Sequence, residues 1–203
     1  MRRFAAGRTS VRVTIDTNCL IDLEVPSTRQ RRLIELLKRW RDGELSLCVP
    51  AISASERTQD NQYLKSYSQF VERLERVGLG DAEQLYPMAY FDICFWDRCL
   101  ISGPELEELE RRIHDVLHPT ISYDYGLFCA EQGIDRSVAP VDSRWRNAKC
   151  DVQVMWSHIW HRADVLVTND RNFVKDSKLP KLIALGAKRI LLPDDLSMLY
   201  PDL

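Results

Sequence analysis

Short blocks of apolar and β-branched residues recur along the chain, separated by longer stretches with helical spacing. Val11–Ile15 has the composition of a buried parallel strand, as do residues 45–49, 165–168 and 189–192, the last ended by Pro193. Leu33, Leu36, Leu37 and Trp40 recur at helical intervals and predict a helix over 29–40, with Gly43 where it stops. A further helix is expected over 63–77, striped by Leu64, Tyr67, Phe70, Val71 and Leu74 and ended by Gly78 and Gly80. Ser53 or Ser55 is placed to cap a helix carrying Glu56. Residues 90–96 fit either a strand or a helix continuing from Ala82. Ser102-Gly103-Pro104 is a stop, and Pro104–Leu117 a helix with Leu106, Leu109, Ile113 and Leu117 along one stripe. Residues 123–132 predict another helix, 133–147 a loop, 151–162 a helix opened by Asp151, and 179–185 a helix capped by Gly186.

Strands alternating with helices predict an α/β fold, a three-layer α/β/α architecture with a central parallel sheet and right-handed crossovers. The 203 residues suit a single domain over 1–203, with a mostly helical central region, 57–147, that includes an insertion.

Composition narrows the setting. Apolar content of 45% and charge of 29% are those of an ordinary globular protein. The net charge of -2 announces no global basic field, although local basic patches can still hold a phosphate backbone. Six cysteines occur without a CxxC pair, which predicts free thiols in a reducing compartment. Residues 1–10 form a basic lead-in with no apolar segment after it, unlike a secretory signal. No window has the roughly 18 apolar residues of a membrane helix. The expectation is a cytoplasmic protein with no membrane partner.

Acidic residues change the picture most. Asp16 closes the first strand, Glu56 follows the second, Asp151 leads the helix before the third, and Asp170 follows that third strand. In a parallel sheet, ligands bind outside the carboxyl ends of the strands. A helix crossing back over the sheet would return Asp151 to the edge where Asp170 sits. Carboxylates gathered there repel one another unless a cation lies between them, and an all-oxygen ligand set favours Mg2+ or Mn2+. That chemistry points to metal-assisted phosphodiester hydrolysis.

Four motifs in order resemble the PIN-domain nucleases: Ile15-Asp16-Thr17-Asn18 with the Cys19 to Leu23 run after it, Val49-Pro50-Ala51-Ile52 leading to Ser55-Glu56, Val167-Thr168-Asn169-Asp170, and Ile190-Leu191-Leu192-Pro193. The resemblance covers residues 11–56 and 148–200. It implies a PIN-like fold and a Mg2+- or Mn2+-dependent endoribonuclease. Asp16, Glu56, Asp151 and Asp170 would be its catalytic and metal-binding acids, and Asn18 and Thr168 would orient the site through hydrogen bonds. Two departures stand out. Asn172 occupies a position where the family often has Asp, and residues 57–150 are longer than a minimal PIN domain needs. A lid, an RNA-binding wall and a homodimer contact stay open as uses for the extra length. A toxin-type ribonuclease with a protein inhibitor or antitoxin stays open as a setting, though simple toxins tend to be shorter.

Other polar residues bear on the same chemistry. Arg57, Arg144, Arg146, Lys149 and Arg171 stand close to the four acids in sequence and are expected to hold an RNA backbone. Trp145 among them is expected to pack rather than to stack a base, and Asp22 to be solvated or to face the site. Cys94, Cys99, His114 and His118 approach a zinc spacing, but their apolar and aromatic context favours buried thiols. The alternative to the enzyme is a catalytically silent PIN-like module that binds RNA or scaffolds a complex. A dehalogenase-like phosphatase ranks last, because Asn18 stands where that class needs a second Asp.

Overall fold

The computed structural model describes residues 10–60 and 62–199. Residues 1–9 of the basic lead-in lie outside the described residues, as do Asn61 and residues 200–203. The architecture is the expected three-layer α/β/α sandwich around a parallel sheet.

The first half alternates as the pattern requires. β1 (Val11–Ile15) leads into α1 (Thr17–Glu24), and α2 (Thr28–Arg41) follows, with the Ser27 side chain accepting from the Gln30 amide at 3.0 Å. β2 (Leu45–Pro50) runs into a 3-10 turn, Ala51–Ser55. α3 (Tyr67–Arg76) begins only after Ser66, which caps it, and β3 (Glu83–Leu85) follows. The second half is more helical: α4 (Pro104–Leu117), α5 (Tyr125–Gln132) and the long α6 (Ser143–Trp160). β4 (Val165–Val167), α7 (Leu179–Leu182) and β5 (Arg189–Leu191) complete it. α7 runs on through a kinked turn to Ala187, where Gly186 takes the left-handed φ of 112° that favours glycine.

The five strands lie in the order β3-β2-β1-β4-β5, all parallel, with Val13 opposite both Leu47 and Val165. Strand periodicity divides the core. Val13, Ile15, Leu47, Val49, Val165 and Val167 face α1, α2 and α3. Leu166 and Ile190 face the opposite way, onto α4, α5, α6 and α7, where Trp156 of α6 is fully buried. Among the described residues no helix is long and apolar enough to cross a membrane. All six cysteines are free thiols.

Several boundaries differ from the sequence expectation. α1 had not been expected, because it is short and Asp16, its N-cap, was read only as an acid. No helix carries Glu56; the chain is extended there, after the 3-10 turn. Residues 90–96 are neither strand nor helix, and the fifth strand is instead the polar Glu83–Leu85, too short for a periodic signal. The loop over 133–147 ends early, since Asp142 accepts from the Arg144 and Trp145 amides and starts α6 at Ser143. Asp151 therefore lies in the third turn of α6 rather than opening a helix.

Lys149, expected on an RNA path, is a core residue with a side chain 1% exposed, paired at 2.9 Å with a fully buried Glu110 of α4. Tyr90 and Tyr123 donate their hydroxyls to Glu110, and Gln153 donates at 3.1 Å. The ammonium also lies over the Tyr90 and Tyr123 rings. The polar run Arg144 to Lys149 thus hides a buried ion pair, which only the placement of α4 beneath α6 reveals.

Lys149→Met should strand the Glu110 charge and cost about 3–5 kcal/mol in urea unfolding. Adding Glu110→Gln, which removes that charge and keeps an oxygen for the tyrosine hydroxyls, should recover part of the loss. A single-variant cost below about 1 kcal/mol would show that the pair does not hold the core.

Candidate functional site

β1 and β4 are neighbours, but the chain leaves them for opposite faces of the sheet, toward α1 and toward α7. A crevice is expected beyond the strand ends at such a switch point. Asp16 and Thr168 stand there, tied across the strands by the Asp16 amide, which donates to Val167 O at 3.0 Å.

The Asp16 carboxylate is nearly buried and accepts three hydrogen bonds: from the Thr17 amide at 2.7 Å, Asn18 Nδ2 at 2.9 Å and Thr168 Oγ1 at 2.6 Å. Asn18 Oδ1 accepts from the Asn169 amide at 2.9 Å, and Thr168 Oγ1 from the Asp170 amide at 2.9 Å. Asn18 and Thr168 thus lock the β4 loop onto the start of α1. Asp22 is drawn into the same lock by a hydrogen bond from Asn169 Nδ2.

The other acids reach this corner from separate elements. Glu56 Oε1 lies 2.6 Å from Thr17 Oγ1, which also lies 2.7 Å from Ser53 Oγ. Asp151 lies 3.0 Å from His118 Nε2, just past the end of α4. Asp170 Oδ1 accepts from the Asn172 amide at 2.8 Å.

Electrostatics join all four. Burial lifts Asp16 from the usual carboxylate range to about 6, and the Asp170 charge adds to it against the three donors. Glu56 is held well above its ordinary value by burial, then by Asp16 and Asp151. Asp151 is raised likewise by burial, then by Asp16 and Asp170, with Lys178 opposing. His118 is pushed down to about 4, first by burial and next by Lys178, so its ring is neutral near pH 7.

The donor set suits a hard divalent cation in kind, with four carboxylates and no thiolate. Its geometry is not closed: among the described residues no group of three or more Asp, Glu, His or Cys side chains is gathered so as to hold a metal ion. Each carboxylate is turned onto a protein donor. Like charges only partly offset by Lys178 relax in this way, because direct approach would cost more than a hydrogen bond returns.

The basic residues divide. Arg144 and Arg171 are exposed. Arg144, Asn147 and Asp151 follow one another at i, i+3 and i+7 on α6, and so share a face. Arg146 is half-buried, donating to Ser55 O at 3.2 Å beside Glu56, with its guanidinium over the Tyr63 ring. Arg57 is half-buried too and donates to the Tyr63 hydroxyl at 3.2 Å. Lys149 does not reach the site.

Four residues of this corner escaped the sequence reading as site residues: Thr17, Ser53, His118 and Lys178. His118 was weighed only for zinc, and that set is dispersed. His114 Nε2 bonds Ile121 O, Cys94 Sγ donates to Met88 O, and Cys99 Sγ to Trp96 O. Lys178 donates to Asn172 Oδ1 at 2.6 Å, so Asn172 holds a cation near Asp170. No local signal marked it.

The chain matches no protein-family model, and no curated protein is significantly similar to it.

These carboxylates bear on stability. An acid whose folded pKa exceeds its unfolded one costs nothing while protonated in both states. Its cost grows as pH rises through about 4 to 6, the window set by Asp16. In EDTA the carboxylates therefore favour the fold at lower pH, against His118 and His158, which are held down to about 4 and oppose folding below about pH 6.5. Asp151→Asn keeps an oxygen for His118, removes one of the repelled charges, and should raise the melting temperature at pH 7 by a few degrees. A variant melting several degrees lower at pH 7 would show that Asp151 is not under charge repulsion.

Proposed function

We propose that the protein is a Mg2+- or Mn2+-dependent endoribonuclease that hydrolyses RNA phosphodiester bonds. The observation that carries this reading is the electrostatic union of Asp16, Glu56, Asp151 and Asp170, drawn from four separate parts of the chain to the strand ends. Structural ion pairs do not explain it, since like charges this close oppose folding. Raised carboxylates in a crevice are a common mark of a functional site. The motif resemblance to PIN-domain nucleases supports RNA as the substrate.

In this reading the four acids would hold the ion. A bound divalent ion lowers the pKa of a coordinated water and neutralises charge on the scissile phosphate. The chain's own residues prepare the ground. Asn18 and Thr168 hold one oxygen of Asp16 and leave its position little freedom. Thr17 does the same for Glu56, and His118 for Asp151. Lys178 brings a positive charge to the Asp151 and Asp170 side, where a phosphate must approach. Arg144 and Arg171 are exposed and free to swing onto the RNA backbone.

A second reading has one observation in its favour. The carboxylates are each engaged by protein donors rather than gathered round a point, as in a PIN-like module that binds RNA without cutting it. Incubation of single-stranded RNA with the protein in Mn2+ and in EDTA separates the two. Cleavage should occur with Mn2+ or Mg2+ and stop in EDTA. Asp16→Asn and Asp170→Asn should each lower it by more than the roughly 10- to 100-fold that losing an orienting partner costs, and Asn18→Ala should fall within that range. Cleavage surviving thorough chelation, or near wild-type turnover in either Asp→Asn variant, would sink the metal mechanism.

A further inference from the structure

One cavity is lined by residues of the central region and of the first turn of α6, and by none of the four carboxylates. It measures about 500 Å³, a size suited to a small planar ligand. Its lining is aromatic: Tyr125 packs on the buried Trp145 with ring centroids 4.7 Å apart, and Tyr90, Tyr123 and the exposed Phe91 line it too. Phe91 is 78% exposed and packs edge-on against Trp96, itself 61% exposed, at 4.7 Å. Two large exposed aromatic rings side by side are unusual on a protein surface unless something covers them. Asp92, next in the chain, is held at φ 60°, a left-handed conformation uncommon outside glycine, so the turn that presents Phe91 is strained.

Charge decides what kind of ligand fits. Arg136 and Arg146 line the cavity, but Asp92 and Asp124 line it too. The four charges balance, so the cavity offers no net field to a free anion. It offers ring faces to a neutral, planar group and cations that stack on it. Gly126 keeps the floor open, since a Cβ there would lie 3.0 Å from Asp124 Oδ1 and 3.4 Å from Arg136 Nη1.

The cavity also joins the acidic corner. Arg146 lines it and donates to Ser55 O, the residue before Glu56. Along α6, Arg146 and Asp151 are five residues apart, about 7.5 Å of helix. We infer that this cavity is a base-binding pocket, which takes one unstacked nucleobase of a single-stranded RNA whose backbone passes the carboxylates. The inference rests on the nuclease reading for the identity of the strand, but not on catalysis. Arg146 stands between pocket and acids, and Tyr125 supplies a face against which the base lies, backed by the buried Trp145. Phe91 closes over it from the mouth.

The test separates binding from cutting. A fluorescein-labelled single-stranded RNA hexamer is titrated by anisotropy into the Asp170→Asn protein in EDTA, where nothing is cut. Phe91→Ala and Arg136→Ala are then added singly to that background; both side chains are exposed, so the fold should survive. Ile101→Ser, an exposed apolar residue outside the cavity lining, is the control. Each pocket variant should weaken binding roughly ten- to hundredfold, the loss of one stacked base, and the control should not. Guanosine, an uncharged nucleoside, should compete with the hexamer on the unchanged pocket and fail to bind the Phe91→Ala protein. Unchanged hexamer affinity in both pocket variants, or no hexamer binding at all, would overturn the pocket. Cleavage by the wild-type acids in Mn2+ is scored separately. Phe91-dependent binding without any cleavage would uphold the pocket and reject the nuclease, and cleavage with unchanged affinities would do the reverse.

Discussion

Four carboxylates drawn to one sheet edge, offset only in part by Lys178, are the constraint around which the rest of this molecule is arranged. Burial and neighbouring negative charge make Asp16, Glu56 and Asp151 costlier to ionise. A fold that gathers them must supply donors, and it does so locally. The Thr17 amide and the Asn18 and Thr168 side chains attend Asp16, while Thr17 Oγ1 attends Glu56. These hydrogen bonds also stitch β1 to β4 beyond the last rung of their ladder, so the polar corner strengthens the sheet end that carries it.

α6 transmits the remaining order. One face is buried against the sheet through Val152, Met155 and Trp156. Another carries Lys149 and Gln153 into the Glu110 network of α4, a satisfied set of hydrogen bonds in a low-dielectric interior. Between these two anchors Asp151 has little rotational choice and faces His118. The buried ion pair thus ties α6 to α4 at Lys149, two residues before Asp151. The central region is tied to the core by charge as well as by apolar contact. It also contributes the aromatic cavity, whose lining residue Arg146 donates to Ser55 O beside Glu56.

Much of this was legible from residue order. Val11–Ile15 is the strand that its β-branched pattern predicts, and Pro104–Leu117 is the predicted helix to the residue. Strands buried on both faces and helices with one apolar stripe have strong local signals, because periodicity records burial directly. The polar β3, at the sheet margin, has no such record, and α6 began earlier than expected because its first turns are polar outside and paired inside. Short caps such as Asp142 are weak signals when an ordinary surface Asp looks the same.

The sequence by itself determined the sheet, its parallel sense, and the presence of Asp16 and Asp170 at strand ends. Strand ends are local facts, and alternation forces the carboxyl edge to one side. Only the tertiary structure decided which distant groups meet those acids. It brought in His118 and Lys178, turned Lys149 inward onto Glu110, and placed Asp151 in mid-helix. Those outcomes depend on how far α6 overhangs a three-residue strand and on which face of α4 it covers. Both are set by packing between elements, and no local run of residues encodes that.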